Sequence, residues 1–297
     1  MNPIIFALPG NEILADKLCK LLLAEYGELD LHRFPDKEIK IKINTDVAQR
    51  EVIIIASLNQ PNEKILPLLF LSETARELGA KGVHLIAPYL AYMRQDKRFQ
   101  PGEGISANYF ARLLSHYTDS LLTIDPHLHR YRSLAEIYTI PSHVIHATKA
   151  IAKWIKTNVK NPLLIGPDNE SQQWVAEIAA DVQAPFLILE KLRSGDHEIE
   201  INLPEITQYY YHNPILIDDI ISTAKTMIET VKQLKKYLKA TPICIGVHAI
   251  FADNAYQELM ATGVSQIITS NTIAHATNFI DIAQDLADAI KSLGLLQ

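Results

Sequence analysis

Short apolar runs alternate with longer segments of helical periodicity along almost the whole chain. The runs are rich in Ile, Val and Leu, as in Val52–Leu58 and Val83–Pro88, and such continuous runs are typical of strands buried on both faces. The intervening segments place leucines at helical spacing, and the first of them predicts a helix over Glu12–Tyr26. Strands that alternate with helices favour a parallel sheet covered by helices on both faces, and therefore an α/β fold.

The alternation of strands and helices occurs twice. The second round begins near Ile145–Thr148, and no low-complexity linker separates it from the first. Two rounds of similar plan predict two α/β domains, over residues 1–146 and 147–297. The last predicted helix, Asp281–Ile290, is a candidate to pack on the first domain.

Composition and charge argue against several classes of protein. The 297 residues are 48% hydrophobic and 21% charged, which is ordinary for a globular protein, and the formal net charge of -6 argues against a nucleic-acid partner. No apolar run approaches the roughly 18 residues of a membrane span. The first ten residues lack the basic region of a signal peptide. We therefore expect a cytoplasmic protein without a nucleic-acid or membrane partner.

The strongest chemical signal is the segment Pro214–Thr226. A short apolar run ends at two adjacent acids, Asp218 and Asp219, and a hydroxyl-rich loop then opens a helix. Backbone N–H groups at a helix N-terminus form an anion cradle, and acids beside it can hold sugar hydroxyls or a metal, which together suit a sugar phosphate. An ordinary helix capped by Ser222 or Thr223 is the alternative. It explains the hydroxyls but not two acids at the end of an apolar strand.

The segment Ile217–Thr226 resembles the phosphoribosyl-diphosphate (PRPP) loop of type I phosphoribosyltransferases and of ribose-phosphate pyrophosphokinases. Further segments resemble the pyrophosphokinases alone, and they follow the family's order over nearly the whole chain: Arg33–Glu38, Pro88–Lys97, Thr123–His127, Ile165–Asp168 and Glu190–Arg193. The resemblance implies two similar type I phosphoribosyltransferase-like domains, each a mainly parallel sheet flanked by helices. It also implies transfer of the β,γ-diphosphoryl group of ATP to the 1-hydroxyl of ribose 5-phosphate, which gives PRPP and AMP.

The same resemblance implies a role for each matching residue. The catalytic cations are Lys191 and Arg193, and Mg²⁺ is held by His127 and Asp168. The ATP site in the first domain consists of Phe34, Asp36, Glu38, Arg94, Gln95 and Asp96. The ribose 5-phosphate site in the second domain consists of Asp218, Asp219, Ser222, Thr223, Ala224, Lys225 and Thr226. A homo-oligomer with the nucleotide site at a subunit interface is also implied.

Residue chemistry leaves an alternative open for several of these roles. Carboxylates are usual ligands of Mg²⁺ whereas His is not, so His127 could instead be a strand-end residue bonded to backbone. Lys191 and Arg193 would act from a mobile loop, or else belong to a solvated connection between strands. Arg94 could pair with phosphates, or form a surface ion pair with Asp96.

Three departures from the family's pattern keep other functions open. Asn169–Ser171 stands where the family has glycines, Lys225 replaces a glycine of the PRPP loop, and Lys37 replaces the glycine after Asp36. A phosphoribosyltransferase that consumes PRPP is the first rival function. The second is a regulatory subunit that resembles a synthetase, has no activity and binds a true synthetase.

Overall fold

A computed structural model describes residues 2–194, 198–202 and 206–294, with the backbone alone for residues 190–194 and 198–202. The chain divides into two compact units. The first holds the chain up to Ile145, together with Thr272–Ala274 and the segment from Ile282 onward. The second holds His146–Asn271 and His275–Asp281.

Both units are built from parallel strands that alternate with helices. The strands are β1 (Ile4–Ala7), β2 (Glu25–Tyr26), β3 (Leu29–Arg33), β4 (Ile39–Ile43), β5 (Glu51–Ile55), β6 (Gly82–Ala87), β7 (Ser120–Ile124), β8 (Ser142–Ile145), β9 (Pro162–Gly166), β10 (Phe186–Ile188), β11 (Glu190–Ser194), β12 (Glu198–Asn202), β13 (Asn213–Ile221), β14 (Ile243–Ala249), β15 (Gln266–Ser270) and β16 (Asn278–Ile280). The helices are α1 (Glu12–Leu22), α2 (Pro61–Glu77), α3 (Ser106–Tyr117), α4 (Thr148–Asn158), α5 (Gln172–Val182), α6 (Lys225–Tyr237), α7 (Ala255–Ala261) and α8 (Ala283–Ser292). None of the helices described is long and apolar enough to cross a membrane.

The first unit contains a parallel sheet with the strand order β2-β1-β5-β6-β7-β8. Four successive residues of β5, from Val52 to Ile55, are 0% exposed. Because neighbouring side chains on a strand point to opposite faces, this burial means that both faces of the sheet are covered. Helix α8 packs against α1, so the end of the described chain completes the first unit.

The second unit repeats this plan with the strand order β10-β9-β13-β14-β15-β16, again with every pair parallel. The chain moves from β9 outward to β10 in one direction, and from β13 to β16 in the other. The topological switch point of the sheet therefore lies between β9 and β13. Each unit also carries an antiparallel hairpin, β3–β4 in the first and β11–β12 in the second.

The predicted α/β class, with two mainly parallel sheets flanked by helices, is confirmed. One element differs from the prediction at the start of the chain, because α1 ends at Leu22 and not at Tyr26. Leu23 adopts the left-handed conformation with φ 54°, which ends the helix. The chain then continues as β2 beside β1.

A polar network joins the amino ends of β5, β6 and β7. His84 lies 2.8 Å from Ser120 Oγ through Nδ1 and 3.0 Å from Glu51 Oε2 through Nε2, while Lys81 lies 3.0 Å from the other Glu51 oxygen. Although burial raises the pKa of Glu51, hydrogen bonds from His84 and Lys81 bring it below its ordinary value of 4.5. Gly82 leaves the space for this pair, since a Cβ there would lie 2.3 Å from Glu51 Oε2.

We predict that Gly82→Ala lowers the free energy of unfolding by about 1–2 kcal/mol, because the new methyl group displaces Glu51 from His84. The pKa of Glu51 is depressed in the folded protein, so its stabilisation is present above pH 4.5 and is lost as the pH falls through the folded value. The cost of Gly82→Ala should therefore shrink on acidification. Urea unfolding measures both effects.

The matched control is the double variant Glu51→Ala/Gly82→Ala, in which the displaced side chain is already gone. It should be no less stable than Glu51→Ala alone. Losses that simply add in the double variant would contradict this interpretation of Gly82.

Candidate active site

Three carboxylates meet at the switch point of the second unit. Asp168 follows β9 after Gly166 and Pro167, and Asp218 and Asp219 lie on the neighbouring strand β13. The charges of Asp219 and Asp168 both act on Asp218. Ligands of open α/β sheets bind in this position, outside the carboxyl ends of the strands.

The pKa of Asp218 lies well above its ordinary value of 3.8. Burial is the largest cause, and the charges of Asp219 and Asp168 raise the pKa further. The backbone N–H of Asp219 donates a 3.0 Å hydrogen bond to Asp218 Oδ1, which offsets only part of the effect. Crowded carboxylate oxygens are suited to bind a hard divalent cation or the hydroxyls of a sugar, so the donor set fits Mg²⁺.

Asp218 and Asp219 lie within strand β13, whereas the sequence predicts that they follow the end of the strand. The strand runs from Asn213 to Ile221, and Asp218 pairs with Gly246 of β14. The apolar run resumes after the acids, and Ile220 and Ile221 continue the pairing with β14. The backbone of the acid pair is therefore fixed by the sheet, which gives the carboxylates a more defined position than a loop would.

The predicted phosphate loop connects β13 to α6 through Ser222, Thr223 and Ala224. Ala224 is left-handed with φ 56°, and no side chain among the described residues caps α6. The predicted alternative, a helix capped by Ser222 or Thr223, is therefore wrong. The first N–H groups of α6, which begins with Lys225 and Thr226, have no side-chain cap, and an anion can take that place.

The loop after β9 is closed by its own hydrogen bonds. Residues Asn169–Ser171 form a short 3₁₀ turn, in which the Ser171 N–H donates to Asp168 Oδ1 at 3.3 Å. Ser171 Oγ also donates to the backbone carbonyl of Asp168 at 2.6 Å. Gly166 permits this approach, since a Cβ there would lie 2.3 Å from Ser171 Oγ.

The first unit presents the segment around Phe34 at the tip of the β3–β4 hairpin. Phe34 is 38% exposed, and its ring meets that of His32 edge to face, with the centroids 4.6 Å apart. Asp36 Oδ1 accepts the backbone N–H of Glu38 at 3.1 Å. Lys37 has φ 75°, a conformation that favours glycine. This left-handed backbone conformation therefore explains the glycine that the family has at this position.

Of the residues predicted after β6, Arg94 is exposed, Gln95 is half-buried and Asp96 is buried. Both carboxylate oxygens of Asp96 contact Arg130 Nη1, at 2.7 and 3.0 Å. In the described part of the chain Asp96 thus pairs with Arg130, and the surface ion pair with Arg94 is not formed.

His127 lies in an unusual stretch of backbone after β7. Asp125 and His127 both have positive φ, 36° and 56°, and the His127 N–H donates to the carbonyl of Asp125 at 2.9 Å. His129 Nε2 lies 2.9 Å from His127 Nδ1, so the two rings share a hydrogen bond.

Lys191 and Arg193 belong to the regular hairpin β11–β12, where their Cα partners are Ile201 and Ile199. The predicted loop is therefore a strand. The side chains of these two residues lie outside the part of the structure that is described. The short alternating segment pairs only with its own neighbour, Glu198–Asn202, which is why the pattern of the main sheet does not reveal it.

Comparison with known proteins extends over both units. Residues 3–117 match the N-terminal domain of ribose phosphate pyrophosphokinase, and residues 133–281 match the phosphoribosyl transferase domain. The ribose-phosphate pyrophosphokinase of Methanopyrus kandleri is 30% identical over 293 residues, which cover 98% of this chain and 99% of that protein. The chain belongs to the ribose-phosphate pyrophosphokinase family.

Other members of the family agree with this assignment. The ribose-phosphate pyrophosphokinase of Sulfurisphaera tokodaii is 30% identical over 279 residues, which cover 93% of this chain and 94% of that protein. The crystal structure of phosphoribosylpyrophosphate synthetase from Mycobacterium smegmatis has the same fold, with a TM-score of 0.87 at 23% identity over 99% of both chains. The predicted resemblance to ribose-phosphate pyrophosphokinases is thus confirmed.

Within each unit the structure brings some of the family-matched segments together. In the second unit these are Asp168 and the acid pair Asp218–Asp219, beside the loop to α6. In the first unit the segment 94–96 is joined to the chain after His127 through Arg130, a residue that sequence analysis missed. Its partner Asp96 lies 34 positions away, and no local pattern links the two.

We predict that Asp218→Asn stabilises the fold at neutral pH, by about 1–3 kcal/mol, because the amide relieves the crowding of buried charge. The folded pKa of Asp218 is raised, so the wild type loses stability as the pH rises above 3.8. The gain from the substitution should therefore shrink as the pH is lowered toward that value.

Thermal unfolding of Asp218→Asn at several pH values measures this effect. Asp181→Asn is the matched control, since it removes the same charge from an exposed pair with Lys156, and it should not stabilise. An Asp218→Asn protein that is less stable than wild type at neutral pH would contradict the assignment of crowding.

Proposed function

We propose that this chain is a ribose-phosphate pyrophosphokinase, a cytoplasmic enzyme that converts ATP and ribose 5-phosphate to PRPP and AMP. One observation carries the proposal: three carboxylates lie at the switch point of the second unit, two of them on the strand that leads into a helix N-terminus without a side-chain cap. Membership of the family over nearly the whole chain supports it.

Ribose 5-phosphate would bind with its phosphate at the loop Ser222–Thr226. The N–H groups of the first turn of α6 would donate to the phosphate oxygens, and the Lys225 ammonium would add a positive charge. Asp218 and Asp219 would accept hydrogen bonds from the ribose hydroxyls. Hydroxyl donors would relieve the crowding of carboxylates that raises the pKa of Asp218. The site would therefore favour a ligand with several hydroxyl groups.

ATP would be recognised by the first domain, residues 1–146. Phe34 offers an aromatic face for the base, with Asp36 and Glu38 as acceptors for its amino group. The exposed guanidinium of Arg94 suits a phosphate, and the amide of Gln95 can bond the nucleoside. In a homo-oligomer these two segments would meet at a subunit interface and complete one nucleotide site.

Mg²⁺ would be held by Asp168 and His127, as the resemblance implies. The carboxylate-rich second unit fits this hard cation, because Asp168 lies close enough to Asp218 to raise its pKa. When bound, the ion neutralises phosphate oxygens of the nucleotide.

In the transfer step, the 1-hydroxyl oxygen of ribose 5-phosphate forms a bond to the β-phosphorus of ATP. The bond from that phosphorus to the oxygen bridging the α- and β-phosphates breaks, AMP leaves with the oxygen, and the hydroxyl proton is released. Lys191 and Arg193 would stabilise the charge that develops on the diphosphoryl group. No covalent enzyme intermediate is required.

We predict that the purified chain releases AMP, and not ADP, from ATP in the presence of ribose 5-phosphate and Mg²⁺. Lys191→Ala and Arg193→Ala should each lower kcat by about 10²–10³-fold with smaller changes in KM, because they act on developing charge. Lys232→Ala, on the exposed face of α6 beside Glu229, is the control and should keep wild-type kinetics.

Two outcomes would replace the proposal. Release of ADP, or use of PRPP with a nucleobase in the absence of ATP, would make the chain a different enzyme. An inactive chain that still binds ATP would be a regulatory subunit. That second candidate is favoured by one observation, the closed turn Asn169–Ser171, whose N–H already bonds to Asp168.

A further inference from the structure

The ion pair between Asp96 and Arg130 is asymmetric in its burial. The Asp96 side chain is 2% exposed and that of Arg130 is 43% exposed. A buried carboxylate needs a partner, because burial of an unpaired charge costs several kcal/mol. Arg130 is that partner, so the buried carboxylate of Asp96 determines the position of the guanidinium.

Further contacts hold this arrangement in place. The Tyr131 hydroxyl donates to Asn108 Oδ1 at 2.7 Å and lies 3.3 Å from the carbonyl oxygen of Asp96. The chain on both sides of the ion pair is thereby tied to α3. Arg130 is three positions after His127, so the pair joins the matched segment Pro88–Lys97 to the chain that follows the matched segment Thr123–His127.

The contact with Asp96 uses only one nitrogen of Arg130, Nη1. The remaining N–H donors of a guanidinium are then available on its exposed side. The Arg130 guanidinium carbon lies 5.8 Å from the centroid of Phe99, and Lys97 Nζ lies 5.0 Å from the same ring. Phe99 is 54% exposed. Two cations and an aromatic ring thus lie together, and Gln95 Nε2 donates to the backbone carbonyl of Lys97 at 3.3 Å.

We propose that Arg130 is a further nucleotide-binding residue, which contacts the phosphates of ATP, and that Asp96 acts on the nucleotide through Arg130. This inference rests on the proposed function, in which ATP binds the first domain. A guanidinium fixed by a buried carboxylate is preorganised, so it binds a phosphate with little loss of side-chain freedom. Asp96, whose carboxylate is occupied, orients this cation and does not touch the ligand.

Calorimetric titration of the full chain with ATP and with AMP tests the proposal. Arg130→Met should weaken ATP binding by about tenfold and AMP binding by less than about twofold, because the loss grows with phosphate charge. Arg130→Lys should restore part of the ATP affinity. Asp96→Asn should weaken ATP binding in the same way, and the double variant should bind no worse than Arg130→Met alone.

Lys156→Met is the matched control, since it removes a cation from an exposed pair with Asp181, and it should leave both affinities unchanged. Equal losses for ATP and AMP in Arg130→Met, or no loss for either, would reduce the ion pair to a structural role and overturn the inference. Should Asp96→Asn fail to fold, the two Arg130 variants decide alone, because that side chain is partly exposed.

Failure of this inference is distinguishable from failure of the proposed function. A wild-type chain that binds ATP tightly but releases no AMP refutes the pyrophosphokinase activity and leaves the role of Arg130 intact. Unchanged ATP affinity in Arg130→Met, with normal release of AMP by the wild type, refutes the inference alone. A wild type that binds no ATP refutes both.

Discussion

The crowding of negative charge at the carboxyl ends of β9 and β13 is the constraint on which the rest of the proposed site depends. The sheet holds the strand that bears Asp218 and Asp219, and Asp168 lies in the loop that follows the neighbouring strand β9. The raised pKa of Asp218 shows that the folded chain bears a cost there. A fold that keeps such a cost is organised for a ligand with hydroxyl groups or positive charge, and a sugar phosphate bound with a cation meets both conditions.

The two units share one sheet plan but differ at their switch points. In the first unit this point lies at the carboxyl ends of β1 and β5 and is filled by the chain itself. Asn11 Oδ1 accepts the N–H of Ser57 at 3.0 Å, and Lys64 Nζ donates to the Ser57 carbonyl at 2.8 Å. The Ser57 hydroxyl donates to the carbonyl of Thr272. Duplication of the fold therefore does not duplicate the site, because hydrogen bonds within the chain occupy this position in the first unit and three carboxylates lie there in the second.

The elements and segments that sequence analysis predicts correctly are those with local signals. The buried runs and helical periods along the chain specify the two sheets, and the ordered motifs specify the family. The extension of β13 past Asp219 depends on pairing with β14, which no local pattern contains. The strand β11 is not predicted, and the contact of Arg130 with Asp96 joins residues 34 positions apart through tertiary packing. Contacts between residues far apart in the sequence are thus the part of the site that sequence analysis does not predict.

Left-handed residues other than glycine occur in several of the motif segments. Four of the segments that match the family hold residues other than glycine at positive φ, namely Lys37, Tyr92, Asp125 with His127, and Ala224. Each such residue costs roughly 1–2 kcal/mol relative to ordinary backbone. These conformations persist because neighbouring hydrogen bonds hold them. At Ala224, for example, the carbonyl accepts the Ile228 N–H at 2.8 Å. In a chain with only 11 glycines, these loop shapes therefore depend on surrounding contacts that outweigh the backbone strain.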